Sequence, residues 1–372
     1  ASDVYKRQDL LDETFFDKCP TIDRDIKHKL DSPITLEEFR STLKSCRDSA
    51  PGLDGIPYSY YKVFGDILIP RILDSWNYSL TFGSLAPSHR QACISLLPKT
   101  GKDLTELKNW RPISLTACDL KVITKTISNR LKPALQECIF ANQAAYVPGR
   151  DINFNNRLLL IAKRYAEKYK KDYCSVSLDA QKAFDSVSHQ YLRRVLREYG
   201  FSETFVDMFN TIYNRQEAVV QINGHLSKPF ALERGVKQGD ALSCSLFVLA
   251  MDPLLRNIQY NQQIRGLHIP ITQNEEIEIK VLAYADDVNV ICRNSNSILH
   301  IFHEYERLSV QSGLNLNADK TEIFNFIASR KTSNIVRYLN KRYDLKRCDS
   351  VKVCGLTISK DCLLYTSDAA DE

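Results

Sequence analysis

Two aspartates in direct succession, Asp286 and Asp287, sit within Lys280-Val-Leu-Ala-Tyr-Ala-Asp-Asp-Val-Asn-Val-Ile291. Short runs of β-branched and apolar residues flank them, the pattern of a β-hairpin with its charges at the turn. Adjacent carboxylates between apolar strands repel each other and lose hydration, and a divalent metal ion is the usual way to make such a pair favourable. Read alone, the pair fits a solvated turn equally well, since aspartate is common in turns. A third carboxylate shifts the balance. Asp179 falls at the end of Tyr173-Cys-Ser-Val-Ser-Leu178, which reads as a strand. A helix should follow from about Ser188, with Tyr191, Leu192, Val195, Leu196 and Tyr199 at helical spacing and Gly200 as its stop. One strand-end aspartate plus a hairpin-tip pair can hold two magnesium ions, because magnesium takes hard oxygen ligands and keeps part of its water shell. Ions held in this way activate a hydroxyl and stabilise a transferring phosphoryl group.

Seven blocks, in order along the chain, extend this reading. They are Asn109-Trp-Arg-Pro-Ile-Ser-Leu115, Gln143-Ala-Ala-Tyr-Val-Pro-Gly-Arg150, Asp179-Ala-Gln-Lys-Ala-Phe-Asp185, Gly235-Val-Lys-Gln-Gly-Asp-Ala-Leu-Ser243, Tyr284-Ala-Asp-Asp287, Ser312-Gly-Leu-Asn-Leu-Asn-Ala-Asp-Lys-Thr-Glu322 and Val351-Lys-Val-Cys-Gly-Leu356. The series resembles two finger motifs and then polymerase motifs A to E of the reverse transcriptase domain of non-LTR (LINE-type) retrotransposons. The resemblance implies an α+β fold of the right-hand polymerase kind, with fingers and a palm whose antiparallel sheet is backed by helices, and with the thumb missing. It implies an RNA template, a DNA primer, deoxynucleoside triphosphates and two Mg2+ ions, with Mn2+ as an alternative.

The resemblance also implies roles. Asp179 and Asp286 would be the metal ligands, with Asp287 assisting and the Ala180 carbonyl adding an oxygen. Asp185 reads as a helix-entry carboxylate rather than a ligand. Phe184 would be the steric gate that rejects a ribose 2′-hydroxyl; a core phenylalanine is the plainer alternative. Gln238 and Gly239 would lie against the nascent base pair, the glycine allowing close backbone approach. Arg111 is the best candidate for the triphosphate, because a guanidinium binds phosphate bidentately. Lys99 is a weaker one. Arg150 would contact template or primer backbone. Lys320 resembles a lysine that protonates departing pyrophosphate, and a surface ion pair fits it nearly as well. Cys354 and Gly355 resemble a primer-grip turn. Where the family usually continues motif B with Pro-Leu-Ser-Pro, this chain has Ala241-Leu-Ser-Cys244.

The elements that must position these groups are partly legible. Thr35-Leu-Glu-Glu38 is a capping-box pattern ahead of a helix. Helices are predicted over 59–82, 116–135, 241–258 and 298–309, a strand over 92–97, and a hairpin over 216–232 turning at Asn223-Gly224. The expected division is a mostly helical extension over 9–85, a basic fingers region over 86–172 and a palm with interleaved fingers elements over 173–361. Residues 1–8 and 362–372 resemble translations of opposite strands of one transposase-derived sequencing adapter, which implies an internal fragment with foreign ends.

Composition bounds the rest. Hydrophobic content of 44% with 26% charged residues is that of an ordinary globular protein. Eleven cysteines without a Cys-x-x-Cys pair argue against zinc and for reduced thiols in an intracellular setting. No apolar run is expected to span a membrane. Net charge is only +5, yet residues 86–175 hold 16 Lys or Arg against 7 Asp or Glu. A basic stretch beside an acidic site suits a polyanionic partner; solvated helix faces are the plainer reading. A catalytically silent or maturase-like RNA-binding protein and a group II intron reverse transcriptase are the alternatives. The three intact aspartates argue against the first, and the Asn109–Leu115 block against the second.

Overall fold

The computed structural model describes residues 13–325 apart from 171, 172, 273 and 294, together with 346–347, 350–353, 356–359 and 363–365. The chain forms two compact units. One comprises Pro20–Cys138 and Val187–Phe247; the other comprises Ala1–Cys19, Ile139–Ser186 and Val248–Glu372. These units cut across the expected boundaries. The expected fingers region divides after Cys138, and residues 187–247 join the N-terminal half because strand Gln91–Pro98 pairs in parallel with Glu217–Ile222, setting Cys93 opposite Val219.

In the first unit the sheet runs in the order Trp110–Leu115, Gln91–Pro98, Glu217–Ile222, His225–Leu226. The turn between the last two has positive φ at both Asn223 (50°) and Gly224 (82°), the type I′ geometry that suits the twist of a hairpin. Helix Leu36–Ser45 starts on the expected capping box: the Thr35 hydroxyl accepts the Glu38 N–H at 3.2 Å and the Glu38 carboxylate accepts the Thr35 N–H at 3.1 Å. Glu38 then does a second task, accepting Arg130 Nε at 2.9 Å from the neighbouring helix Cys118–Cys138. The apolar stripe Leu120, Ile123, Ile127 and Leu131 of that helix is buried as its spacing requires. The single helix predicted over 59–82 is two, Tyr58–Val63 and Gly65–Phe82. Phe64 breaks it with φ −98° and ψ 18°, just before a glycine of low helix propensity.

The second unit is built on a sheet in the order Lys346–Arg347, Glu322–Asn325, Cys174–Leu178, Asp287–Cys292, Val281–Tyr284. Every pairing is antiparallel except the edge pair Glu322–Asn325 with Lys346–Arg347. Helix Ile152–Lys168 backs it, with Leu159, Ala162 and Ala166 packed against Leu282, Ile291 and Phe324. Helix Ser295–Ser312 packs on strand Asp287–Cys292 and starts three residues before the predicted Ile298. A separate sheet pairs Ser350–Val353, Leu356–Ser359 and Leu363–Tyr365. The last of these strands falls in the tail set aside as foreign; its Leu-Leu-Tyr sequence is itself strand-favouring. Cys354 and Gly355 lie outside the described residues.

Helix Ala241–Tyr260 corrects the expectation that no apolar run reaches membrane-spanning length. It is long and apolar enough to cross a membrane, but 83% of its most apolar window is buried inside the protein. It also carries Asp252, whose carboxylate accepts Arg256 Nε and the Phe140 N–H, both at 2.6 Å. Those are the features of a core helix with an internal polar staple.

Candidate active site

Strand Cys174–Leu178 is buried along its whole length, so the first residue that can carry an exposed charge is the one after it, Asp179. A loop staples this strand end. Asn317 donates its N–H to the Asp179 carbonyl at 2.8 Å, and Gln181 donates to the Asn315 carbonyl at 2.8 Å. The bridge so formed pairs Ala180 with Leu316 and does not consume the Ala180 carbonyl. The Asp179 carboxylate accepts Asn317 Nδ2 at 3.0 Å and stands 3.2 Å from Lys320 Nζ.

The hairpin predicted around Asp286-Asp287 is present. Strands Val281–Tyr284 and Asp287–Cys292 pair with Asp287 opposite Tyr284, leaving Ala285 and Asp286 as a two-residue turn. Ala285 has φ +54°, left-handed backbone that costs an alanine about 1–2 kcal/mol. Two-residue hairpins place glycine at such positions. Strand register then sets two of the aspartates side by side. Val288 lies opposite Leu178, so carrying the register one residue further sets Asp287 opposite Asp179, where cross-strand Cβ atoms are about 5 Å apart. Asp287 Oδ1 accepts Asn289 Nδ2 at 2.9 Å.

Tyr305 reports the electrostatics. It is 2% exposed, and its hydroxyl has no hydrogen-bond partner among the described residues. Burial pushes its phenol well above the ordinary range, and the negative charges of Asp179 and then Asp286 push it further in the same direction. Both carboxylates therefore act on one buried point. A set of hard oxygens with an ammonium already drawn onto one of them, and an orphaned hydroxyl beside them, fits a hard divalent cation. Among the described residues no three His, Cys, Asp or Glu side chains gather as a protein-only metal cage. Magnesium does not need one, because it keeps several waters.

The remaining predicted residues divide. Phe184, in the short helix Ala183–Ser186 after the strand end, is partly exposed rather than part of the core. Lys320 makes the ion pair that its plainer reading required, but with Asp179 itself. Arg150 is partly exposed. Its guanidinium donates to the carbonyls of Phe140 (2.6 Å), Gln143 (2.9 Å) and Ile139 (2.8 Å), so three of its hydrogen bonds go to the protein's own loop. Lys99 donates to the Lys108 carbonyl at 2.7 Å. In the other unit Arg111 is exposed on strand Trp110–Leu115. The Gln238 carbonyl accepts the Ser114 N–H at 3.0 Å, and Gly239 has φ +99° with space for a Cβ no closer than 3.6 Å to the same strand.

Four groups of consequence carried no readable signal. Gln143 grips the turn before Asp286; Asn317 holds Asp179; Lys237 and Asp240 are buried on either side of Gln238-Gly239. All four lie inside quoted blocks, but the partners that give them consequence are distant in sequence, and only the folded chain shows them.

A family model described as "Reverse transcriptase (RNA-dependent DNA polymerase)" matches residues 97–358. The chain is 38% identical over 283 residues to the transposon TX1 uncharacterized 149 kDa protein of Xenopus laevis, covering 76% of this chain and 21% of that protein. It is 29% identical over 298 residues to a retrovirus-related Pol polyprotein from a type-1 retrotransposable element R2 of Popillia japonica, covering 80% and 40%. To the RNA-directed DNA polymerase from mobile element jockey of Drosophila melanogaster it is 25% identical over 345 residues, covering 88% and 35%. The chain thus spans between about a fifth and two fifths of the length of these relatives. Among solved structures, apo telomerase from Candida tropicalis, truncated from its C-terminal domain, is similar with a TM-score of 0.49 at 13% identity, covering 78% of this chain and 59% of that one. The family match takes in the blocks that resemble motifs A to E, both strands of the aspartate hairpin and the loop that staples Asp179, and on it the chain belongs to the reverse transcriptase family.

Proposed function

We propose that this domain is an RNA-directed DNA polymerase that extends a primer 3′-hydroxyl along an RNA template, taking deoxynucleoside triphosphates and two magnesium ions, with manganese as a substitute. The observation that carries the reading is the strand register that sets Asp287 opposite Asp179, with Asp286 in the turn between the adjoining strand ends. Asp179 and Asp286 would hold the ions, Asp287 would add to the local negative charge, and the Ala180 carbonyl would supply a further oxygen. When bound, the cations lower the pKa of the attacking hydroxyl and neutralise charge on the transferring phosphoryl group. Asn317 keeps the Asp179 carboxylate turned toward the strand end, and Lys320 supplies a cation beside the same oxygen. Phe184, the second residue of the next helix, would exclude a 2′-hydroxyl by bulk, and Arg111 would grip the triphosphate.

The test is primer extension on an RNA template by the protein at full length. Asp286→Asn removes a charge that contributes several kcal/mol to transition-state stabilisation, so extension should fall by about a thousandfold or more. Equal extension by the variant would overturn the reading, as would the absence of divalent-dependent synthesis by the unaltered protein.

A further inference from the structure

Gln143 is completely buried. It forms an isolated bridge with Ala283, the residue two before the turn that carries Asp286. Its carboxamide closes on that turn from both sides. Oε1 accepts the Ala285 N–H at 2.9 Å and the Ala145 N–H at 3.1 Å, and Nε2 donates to the Ala285 carbonyl at 3.2 Å. One side chain therefore holds both backbone polar groups of the one residue that has left-handed φ in this hairpin. Only a primary amide offers an adjacent donor and acceptor for this; a carboxylate can accept but not donate, and a thioether does neither to useful effect.

The surroundings make the clamp rigid. Ala144 donates to the Ala283 carbonyl at 2.9 Å and Ala283 to the Asn142 carbonyl at 3.0 Å. Asn142 Nδ2 reaches the Val281 carbonyl at 2.9 Å, and Asn155 Nδ2 reaches the carbonyls of Asn142 and Ala283, each at 2.9 Å. Arg150 anchors the loop from behind through the carbonyls of Ile139, Phe140 and Gln143. A glycine at 285 would adopt its conformation freely. Alanine adopts it at a cost, so the turn's geometry depends on what grips it.

We propose that Gln143 is the positioning residue for Asp286: its amide fixes the strained Ala285 peptide and thereby aims the adjacent carboxylate, with Arg150 locking the clamp in place. The catalytic consequence rests on the polymerase reading above; the geometric one does not.

Three measurements on the full chain decide it: hydrogen exchange at the Ala285 amide, calorimetric titration with Mn2+ in the absence of nucleotide, and primer-extension kcat and KM. In Gln143→Met, Ala285 exchange should accelerate tenfold or more, Mn2+ should bind about tenfold more weakly, and kcat should fall by ten- to a hundredfold while KM for the nucleotide stays within about twofold. Gln143→Glu keeps the acceptor alone and should fall between. Adding Ala285→Gly to Gln143→Met removes the strain that the clamp opposes, and should recover most of the Mn2+ affinity and kcat. A purely structural role would instead lower the melting temperature of each Gln143 variant without rescue by Ala285→Gly. That result, or unchanged Ala285 exchange and Mn2+ binding in Gln143→Met, overturns the proposal. If Gln143→Met does not fold, Gln143→Glu decides on the same readings. An unaltered chain without primer extension would sink the polymerase reading alone, since exchange and Mn2+ binding still report on the clamp.

Discussion

Lys237 and Asp240 bracket Gln238-Gly239 and are only 8% and 7% exposed. Burial pulls the Lys237 ammonium down from 10.5 to about 8, with Asp240 opposing the shift. Burial also raises the Asp240 carboxyl, against which the Thr124 hydroxyl at 2.7 Å, Lys237 and the Leu242 N–H at 2.8 Å all pull. A lysine whose folded pKa lies below its unfolded one destabilises the fold while protonated, and that cost is relieved as pH rises from about 8 to 10.5. Over that window the unfolded chain binds more protons, so this group adds a positive slope of stability with pH, at most about 1.4 kcal/mol per pH unit. Lys237→Met should remove that slope, read as the difference between variant and unaltered protein in urea denaturation at pH 8 and 10. Comparing the two cancels the buried tyrosines that titrate oppositely. The variant should also lose stability at pH 7, by about 3 kcal/mol, because Asp240 is left buried without its cation. Lys237→Met with Asp240→Asn should restore most of it. An unchanged slope in Lys237→Met would mean that the ammonium is hydrated in solution.

Elements are held to one another here by backbone approach as much as by side chains. A Cβ on Gly52 would sit 2.6 Å from the Ala117 N and 2.7 Å from the Thr116 carbonyl carbon, so the loop 49–57 packs directly on the entry to helix Cys118–Cys138. Gly55, three residues on, has φ +69° but nothing within 4 Å of a Cβ. Gly52→Ala must push backbone off backbone and should cost about 3 kcal/mol with an altered helix entry. Gly55→Ala should cost only its dihedral penalty, about 1 kcal/mol. Chemical denaturation of the two variants separates the cases, and equal losses would show that the loop yields. The same contrast explains what was legible in the sequence. The Thr35–Glu38 capping box, the Asn223-Gly224 turn and the helix from Ser188 to Gly200 are local devices, encoded within a few residues, and each is where its pattern put it. So are the three aspartates, because a strand end and a hairpin tip are local too. Their convergence is not local: it needs strand Cys174–Leu178 in register with a strand more than a hundred residues later. The partners of Gln143 and those of the Arg150 guanidinium were invisible for the same reason. An arginine in a Gly-Arg pair reads as a phosphate ligand, and only the fold shows the three carbonyls that it also meets.

The whole molecule's charge must be counted the same way. Of the 16 basic residues over 86–175, Lys99, Lys121, Lys125, Arg130, Lys132, Arg150 and Lys163 bond to the protein itself. Lys102, Arg111, Arg157, Arg164 and Lys170 are exposed, as are Lys108, which pairs with Glu106, and Lys168, which lies over the Tyr169 ring. On helix Ile152–Lys168, Arg157 and Arg164 are two turns apart on one face, together with exposed Phe154 and Ile161. Binding of an RNA template releases about 0.7 counterion per neutralised phosphate on a single strand. Were the whole basic stretch engaged, the slope of log affinity against log salt would approach about −11; five contacts give about −3.5. The smaller slope is the expected result for single-stranded RNA measured by fluorescence anisotropy between 50 and 200 mM salt, an affinity loss of about a hundredfold. Arg157→Ala with Arg164→Ala should flatten it by about 1.4, in line with two lost phosphate contacts. Arg150→Ala should leave the slope unchanged while loosening the Gln143 clamp, because its guanidinium is held by carbonyls of its own loop. A slope that drops by about 0.7 in Arg150→Ala would return that arginine to the nucleic-acid surface that its sequence first suggested.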